Sequence, residues 1–428
     1  MDNRLPARLG AVFIIIALIC PLITGCGKKQ PENVTTIRFS CWGNDIEEVN
    51  IRSLVAEFEK KHPNIKVDLE IMPWSRVLDK LMISSAGGRP PDVTRISSLW
   101  SAPLAAKGLL EPLDSYVKRD NFDIDDFYPQ AIEGWGKYNG VLYELPTDIE
   151  VFALYYNKEM FDKYKIPYPE DSWDWEKYVE VAKKFTRDLD GDGQLDQWGT
   201  TIDVRWQNYI FQNGGKILGE DRNRCILDQP AAYNGLQFRA DLTNKYHVAP
   251  NAQEAANVGT NKLFTSGRIA MCIGASYIAE LVLKKEAKFD YDVAMLPKGP
   301  KGRAAALCGA AYGMLARSKH KNEAWELVKW MTGKQYQRRT AITLQIFPSR
   351  KSVAQSGAYL YLNAPPKNRR VFVDMIKYGQ TLPMVSCAPE MTQVTTNELD
   401  LVWLGRESAE QGCKKLVPRI NQMLRHSD

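Results

Sequence analysis

Four carboxylates stand within nine residues in Asp188-Leu189-Asp190-Gly191-Asp192-Gly193-Gln194-Leu195-Asp196. Charges of one sign at that spacing repel unless something neutralises them. They fall at positions 1, 3, 5 and 9 of a loop like that of an EF-hand, with Gly193 at the sharp turn. Calcium prefers such oxygen ligands, and the backbone carbonyl at Gln194 adds another. Position 12, where a complete loop supplies a bidentate Glu, is Gly199. The expectation is a structural Ca²⁺ clip on Asp188, Asp190, Asp192, Gln194 and Asp196, required for no chemistry. A solvated acidic turn is the alternative.

Other reactive patterns are missing from the sequence. There is no Gly-x-Ser-x-Gly elbow, no Walker loop and no His-Glu-x-x-His. Beyond Cys26 six cysteines remain, Cys41, Cys225, Cys272, Cys308, Cys387 and Cys413, with no Cys-x-x-Cys pair, and the four histidines are scattered. Neither zinc nor redox chemistry is written there, and fifteen disulfide pairings stay open. A net charge of +5 without a Lys/Arg block gives no nucleic-acid face.

The first residues address the chain. Arg4 and Arg8 precede a short apolar run from Leu9 to Ile19, closed by Ile23-Thr24-Gly25-Cys26. The run is shorter than the ~20 residues that span a bilayer, and the pattern is that of a secretory signal. The closing tetrapeptide resembles a bacterial lipobox with Ile for the usual Leu, which makes Cys26 the expected site of lipidation. The expectation is an exported protein anchored in the cell membrane by lipid.

About 400 further residues suggest two domains. Ile37–Trp42 reads as a strand. A helix follows with Val49, Ile51, Leu54, Val55 and Phe58 inward, then a strand through Ile65, Val67, Leu69 and Ile71. Another helix carries Val77, Leu78, Leu81 and Met82, and Asp92–Ile96 forms a third strand. Such strand–helix repeats argue a mainly parallel sheet flanked by helices, with ligands outside the carboxyl ends of the strands. Trp42-Gly43-Asn44-Asp45 and Ser97-Ser98-Leu99-Trp100 both fall at that edge. A second α/β region begins near Ile149, with helices over 158–164, 175–185, 230–246 and 323–331 and short strands at 269–273 and 292–295.

Several fragments, in order, resemble one family. They include Phe58-Glu59-Lys60-Lys61-His62-Pro63-Asn64-Ile65, Pro90-Pro91-Asp92-Val93 and Leu145-Pro146-Thr147-Asp148. Phe211-Gln212-Asn213-Gly214-Gly215, Phe264-Thr265-Ser266-Gly267-Arg268 and Phe347-Pro348-Ser349-Arg350 continue the series. The chain resembles the extracellular solute-binding proteins of bacterial ABC importers, in the family that mostly carries sugars. The resemblance implies a two-lobed α/β fold of the type II periplasmic-binding class, each lobe a mainly parallel sheet, with ligand held between them. It implies a signal peptide over 1–25 and a linker over 26–34. One lobe takes 35–147 and about 275–320, the other 148–274 and about 321–428.

On this reading Trp42, Trp100, Trp206 and Tyr277 are candidate walls for a sugar ring, whose faces carry C–H bonds and whose rim carries hydroxyls. Asn44, Asp45, Ser98, Asp148, Tyr312 and Arg350 are the candidate polar partners. The expected role is capture of a sugar or oligosaccharide by closure of the lobes and delivery to an ABC permease, by a monomer without catalysis. Two alternatives stay open: an anionic or phosphorylated solute in the same cleft, or a secreted glycan-cleaving enzyme. A sensor role on the same fold is a further one.

Overall fold

The structure is a computed structural model that describes residues 34–426 apart from 202–204, 252–253, 255–259, 280–282, 284–285 and 344–345. The segment expected as a signal peptide, Cys26 and all of the expected linker but Val34 lie outside the described residues.

Strand β1 (Thr35–Trp42) alternates, with Ile37, Phe39 and Cys41 buried at every second position, as half-buried pleats require. The helix Asp45–Lys61 follows at once. Asn44 starts it with a capping box: its side chain accepts from the Ile46 and Glu47 amides, and Glu47 accepts from the Asn44 amide at 3.1 Å. Ile51, Leu54 and Phe58 face the core, whereas Val49, expected inside, is 71% exposed. Strand β2 (Ile65–Met72), the helix Trp74–Ala86 and β3 (Val93–Ser97) repeat the unit.

Strands β1, β2 and β3 pair in parallel, as expected. The next strands are β4 (Lys137–Tyr138), β5 (Val141–Leu142), β6 (Glu144–Glu150) and β7 (Phe152–Asn157). They are followed by β8 (Trp198–Thr200), β9 (Ile269–Ala275), β10 (Tyr291–Ala294), β11 (Ala305–Met314) and β12 (Gly379–Thr381). The larger sheet runs β12-β11-β3-β1-β2, with β6 also on β11. The smaller runs β10-β7-β9-β8.

The mixed α/β class is the one expected, but pairing in the smaller sheet differs from the expectation. Only β8–β9 is parallel there; β7 runs antiparallel to both neighbours. β7 enters directly from β6 of the larger sheet through Val151 alone.

Two assignments made from the sequence are corrected. Lys321–Thr332, expected in the second lobe, lays Ala324, Trp325, Leu327, Val328 and Met331 into the core of β1 and β3. β10, expected in the first lobe, pairs with β7 in the smaller sheet. The switch between sheets falls at Val151, a few residues beyond the boundary expected at 147/148.

The helices Ala388–Trp403 and Ala409–Arg425 pack with Pro230–Asn244 around a separate apolar cluster. The six cysteines are free and buried. Burial pushes the Cys41 thiol up to about 12 and those of Cys225 and Cys308 to about 11. Among the described residues no helix is long and apolar enough to cross a membrane.

Candidate functional site

A cleft of about 360 Å³ opens where the carboxyl ends of β1 and β3 meet β6, β11 and connecting segments of the smaller sheet. From the first side come Trp42 at the end of β1, Trp74 just after β2, and Arg95 and Ser97 on β3. Asp148 and Glu150 come from β6, and Arg205, Tyr277 and Ile346 from the other side.

The register explains why β6 presents an acid here. Ala310 pairs with Asp148 but Ala311 with Pro146, so Thr147 is the extra residue of a bulge. Its hydroxyl donates to Asp148 Oδ2 at 2.7 Å, and the Ala310 amide donates to Oδ1 at 3.2 Å. The bulge thus fixes the carboxylate that the sequence marks as a ligand group. Two residues on, and so on the same face, Glu150 takes the Arg205 guanidinium at 2.7 Å.

Arg95 is the centre of the first wall. Nη1 donates to Glu47 Oε1 at 3.1 Å and to the Trp42 carbonyl at 3.3 Å, and Nη2 reaches Asp148 Oδ2 at 3.5 Å. Its guanidinium lies 4.3 Å from the centre of the Trp42 ring. Glu47 therefore serves twice, closing the helix cap and binding Arg95. The carboxylates push the Arg95 guanidinium above its usual range against the opposing effect of burial. Burial pushes the Asp148 carboxyl up, and Arg95 offsets this only in part. Arg95 Nε is buried and has no hydrogen-bond partner among the described residues.

The aromatic wall has a front and a back. Trp74 is 46% exposed and stacks on Trp100 at 4.9 Å between ring centres. Trp42 meets Trp100 edge-on at 5.7 Å. Trp100 itself is 5% exposed and belongs to the cluster with Val77, Leu81 and Ile96. It backs the rings that face the cleft and does not line the cleft itself.

The expected site residues divide accordingly. Trp42, Asp148 and Tyr277 come together in the cleft. Asn44 is spent as the helix cap, and Asp45 is the exposed first residue of that helix. Ser98 donates no contact to the cleft; its Oγ accepts from the Gly309 amide at 3.2 Å. Ser98 and Trp206 instead line a neighbouring apolar cavity. Tyr312 is wholly buried, its hydroxyl 3.2 Å from that of Tyr336.

Arg350 is corrected as well: it is 2% exposed, donates from Nε to the Thr332 carbonyl at 2.8 Å, and pairs with Asp126 at 3.3 Å. It closes the end of the Lys321–Thr332 helix. A cation near final carbonyls is well placed there.

Arg95, Glu47, Trp74, Glu150 and Arg205 were not anticipated. An Arg inside the buried run Val-Thr-Arg-Ile-Ser was a signal, because a buried charge demands partners. Trp74 follows a parallel strand just as Trp42 and Trp100 do, so the same edge rule pointed to it.

In the acidic loop, Asp188, Asp190 and Asp196 bring carboxylate oxygens within 4.8 Å of one another. Asp188 accepts from the Gly191 amide at 2.7 Å and the Gly193 amide at 2.9 Å, which holds its carboxyl below the usual range. Gly191 and Gly193 both adopt positive φ, 81° and 89°, which the tight turn needs and which strains other residues. The Asp192 carboxylate instead accepts from the Gln194 amide at 2.7 Å and stands outside the triad.

Comparison with known proteins accords with this geometry. A putative binding protein of Brucella abortus is 25% identical over 380 residues, covering 86% of this chain and 88% of its own. The galactooligosaccharide-binding protein of Bacillus subtilis is 23% identical over 423 residues, covering 95% and 94%. Among solved structures, an ABC substrate-binding protein of Listeria monocytogenes in complex with cycloalternan superposes with a TM-score of 0.83 at 25% identity. That match covers 92% of this chain and 99% of the other. The model of the bacterial extracellular solute-binding proteins matches residues 45–338, most of the chain, and the protein belongs to that family.

Proposed function

We propose that this protein captures a sugar or oligosaccharide in the cleft between its two sheets and hands it intact to an ABC permease. The observation that carries the cargo class is the combination of an exposed aromatic wall with charges already spent on one another. Trp42 and Trp74 offer flat faces to a pyranose, while Arg95 is matched by Glu47 and Asp148, and Arg205 by Glu150. Among the described residues no lysine lines the cleft, and Arg350, on which an anionic cargo would have depended, is buried elsewhere. Hydroxyls suit such a site, because they both donate and accept beside paired ions.

The same pairing speaks against hydrolysis. A general acid must be free to reach the glycosidic oxygen, whereas Glu47, Asp148 and Glu150 are each engaged by a guanidinium. The curated relatives are named as binding proteins. The Bacillus relative is named for galactooligosaccharides and the Listeria complex holds cycloalternan, which supports a saccharide longer than one ring. Closure of two halves around the guest is the expected mode of capture. Lipidation of Cys26 tethers the exported, monomeric domain, and a Ca²⁺ on Asp188, Asp190 and Asp196 clips the loop before β8.

The test is a thermal-shift screen of residues 27–428 against neutral oligosaccharides and acidic solutes, with chromatography of the recovered ligand. Stabilisation by neutral saccharides returned unchanged is expected. Stabilisation by acidic solutes alone, or recovery of shortened chains, overturns the reading.

A further inference from the structure

Two crossings between the sheets meet at one place. β6 ends at Glu150 in the larger sheet and β7 begins at Phe152 in the smaller one, with Val151 between them. β11 passes the same point. Its start is tied to the helix Gln207–Gln212: the Ala306 amide donates to Asn208 Oδ1 at 2.7 Å, and Gln212 Nε2 donates to the Ala304 carbonyl at 2.9 Å. Gln212 in turn accepts at 2.7 Å from the indole of Trp175, which belongs to the cluster packed on β7 and β9. From Cys308 onward β11 pairs with β6 in the larger sheet, and Cys308 stands opposite Glu150.

One ion pair spans this junction. Arg205, just beyond β8 of the smaller sheet, places its guanidinium 2.7 Å from Glu150 and 5.9 Å from the ring centre of Phe152. It thus engages the residues on both sides of Val151, by charge on one side and over an aromatic ring on the other. The Arg95 pairs with Glu47 and Asp148 differ, because β3, β6 and the helix Asp45–Lys61 all belong to the larger-sheet half. At a pivot a few residues absorb the whole movement in their φ and ψ, so a small energy there sets the angle.

Resting on the saccharide reading, we infer that Glu150 is a positioning residue for capture: through Arg205 it braces the pivot at the angle that sets Arg205 and Tyr277 opposite Trp42 and Trp74. A guest that touches both walls binds only the fraction of molecules at that angle. Loosening the pivot therefore weakens the apparent affinity without removing a wall. For side chains 22% and 24% exposed the loss is up to about fivefold, which corresponds to about 1 kcal/mol.

The experiment measures angle and affinity separately. Spin labels go on Asp79→Cys, in the helix Trp74–Ala86 of the larger-sheet half, and on Lys163→Cys, in the helix Lys158–Tyr164 of the smaller. Both positions are exposed, and the native cysteines of residues 27–428 are buried. Double electron–electron resonance gives the distance distribution of this parent and of its Glu150→Gln variant, and calorimetry gives their affinities for maltotriose, cellotriose and raffinose. The expected result for Glu150→Gln is a broader distribution and an affinity about threefold to fivefold lower for each trisaccharide the parent binds. Arg205→Gln broadens the distribution to the same degree, and the double variant adds nothing, because each change removes the same pair. An unchanged distribution in Glu150→Gln overturns the brace whatever the affinity does, and parent binding of a trisaccharide then leaves the saccharide reading standing. Broadening that adds in the double variant also overturns the brace. Refusal of all three trisaccharides beside stabilisation by acidic solutes removes the saccharide reading, while the distances still decide the brace.

Discussion

The two walls of the cleft are built by different logic. On one, three strand ends of a parallel array deliver Trp42, Trp74 and Arg95 to the same edge, each within a residue or two of a strand. On the other, the sheet is mostly antiparallel and contributes Arg205 and Tyr277 from connecting segments. The first wall is held by a capping box and a buried ion network, the second by a partly buried ion pair. A rigid wall with pre-set groups and a wall that meets the guest through connections is the division of labour expected of a clamp.

Removing each arginine separates the walls most sharply. Arg95→Met strands Glu47 and Asp148 together in the interior, and breaking a buried pair from one side costs about 3–5 kcal/mol. Arg205→Met breaks a pair whose side chains are 22% and 24% exposed, and a stability loss of about 1 kcal/mol or less is expected. Both variants lose saccharide affinity. Urea unfolding of the two variants beside the wild type measures the contrast; equal losses would mean the walls are not built differently.

The tryptophans sharpen the same comparison within the first wall. Trp100→Ala empties a buried site and costs about 3–5 kcal/mol. Trp74→Ala removes a half-exposed ring, so stability changes by less than about 1 kcal/mol while saccharide binding weakens about tenfold. Titration of folded Trp74→Ala with the best saccharide decides it: undiminished affinity takes Trp74 out of the site.

Behind that wall sits Glu144, wholly buried, its Oε2 accepting from Ser101 at 2.9 Å and its Oε1 without a partner. Burial raises its carboxyl well above 4.5. The folded form then holds a proton that the unfolded chain has released, so stability falls as pH rises above about 4.5 through the folded value. The slope is at most about 1.4 kcal/mol per pH unit for one proton. Glu144→Gln removes this component of the slope, and paired denaturation curves from pH 4 to 8 test it. Parallel curves for the two proteins would place the ionised form in the folded state.

What could be read in the sequence follows the same division. β1, β2 and β3 with their helices were legible because alternation, caps and stops are local, and strand ends of a parallel array are where ligand groups collect. That logic found Trp42 and passed over Trp74, although both obey it. β11 was not seen as a strand at all. Its ten residues are buried throughout and so lack the alternation that marks an exposed face. Asp148 was found through a sequence fragment, but only the bulge at Thr147 explains its direction. Arg350 and Tyr312 were misplaced for one reason: neither the Thr332 carbonyl nor the Tyr336 hydroxyl, which engage them, is near in sequence to the cleft. The second wall was nearly invisible because its residues are gathered by long-range contacts rather than by any repeating pattern.

A last expected effect, of a few degrees in melting temperature, lies on the second wall's own half, in the loop before β8. Asp188, Asp190 and Asp196 converge without a basic partner among the hydrogen bonds of their carboxylates, which come from loop amides. Calcium at about ten times its dissociation constant adds roughly 1.4 kcal/mol to a fold that binds it and an unfolded chain that does not. For a protein of this size that is a rise in melting temperature of a few degrees. Asp190→Asn weakens the gain and Asp192→Asn, outside the triad, spares most of it. Because its loop amides hold the Asp188 carboxyl below the usual carboxylate range, it is ionised at neutral pH, and the gain is lost on acidification. Melting curves in EDTA and in calcium read the difference. Identical curves in the two buffers would leave the loop as a turn held by its own amides, and the second half would then owe its rigidity to helix packing alone.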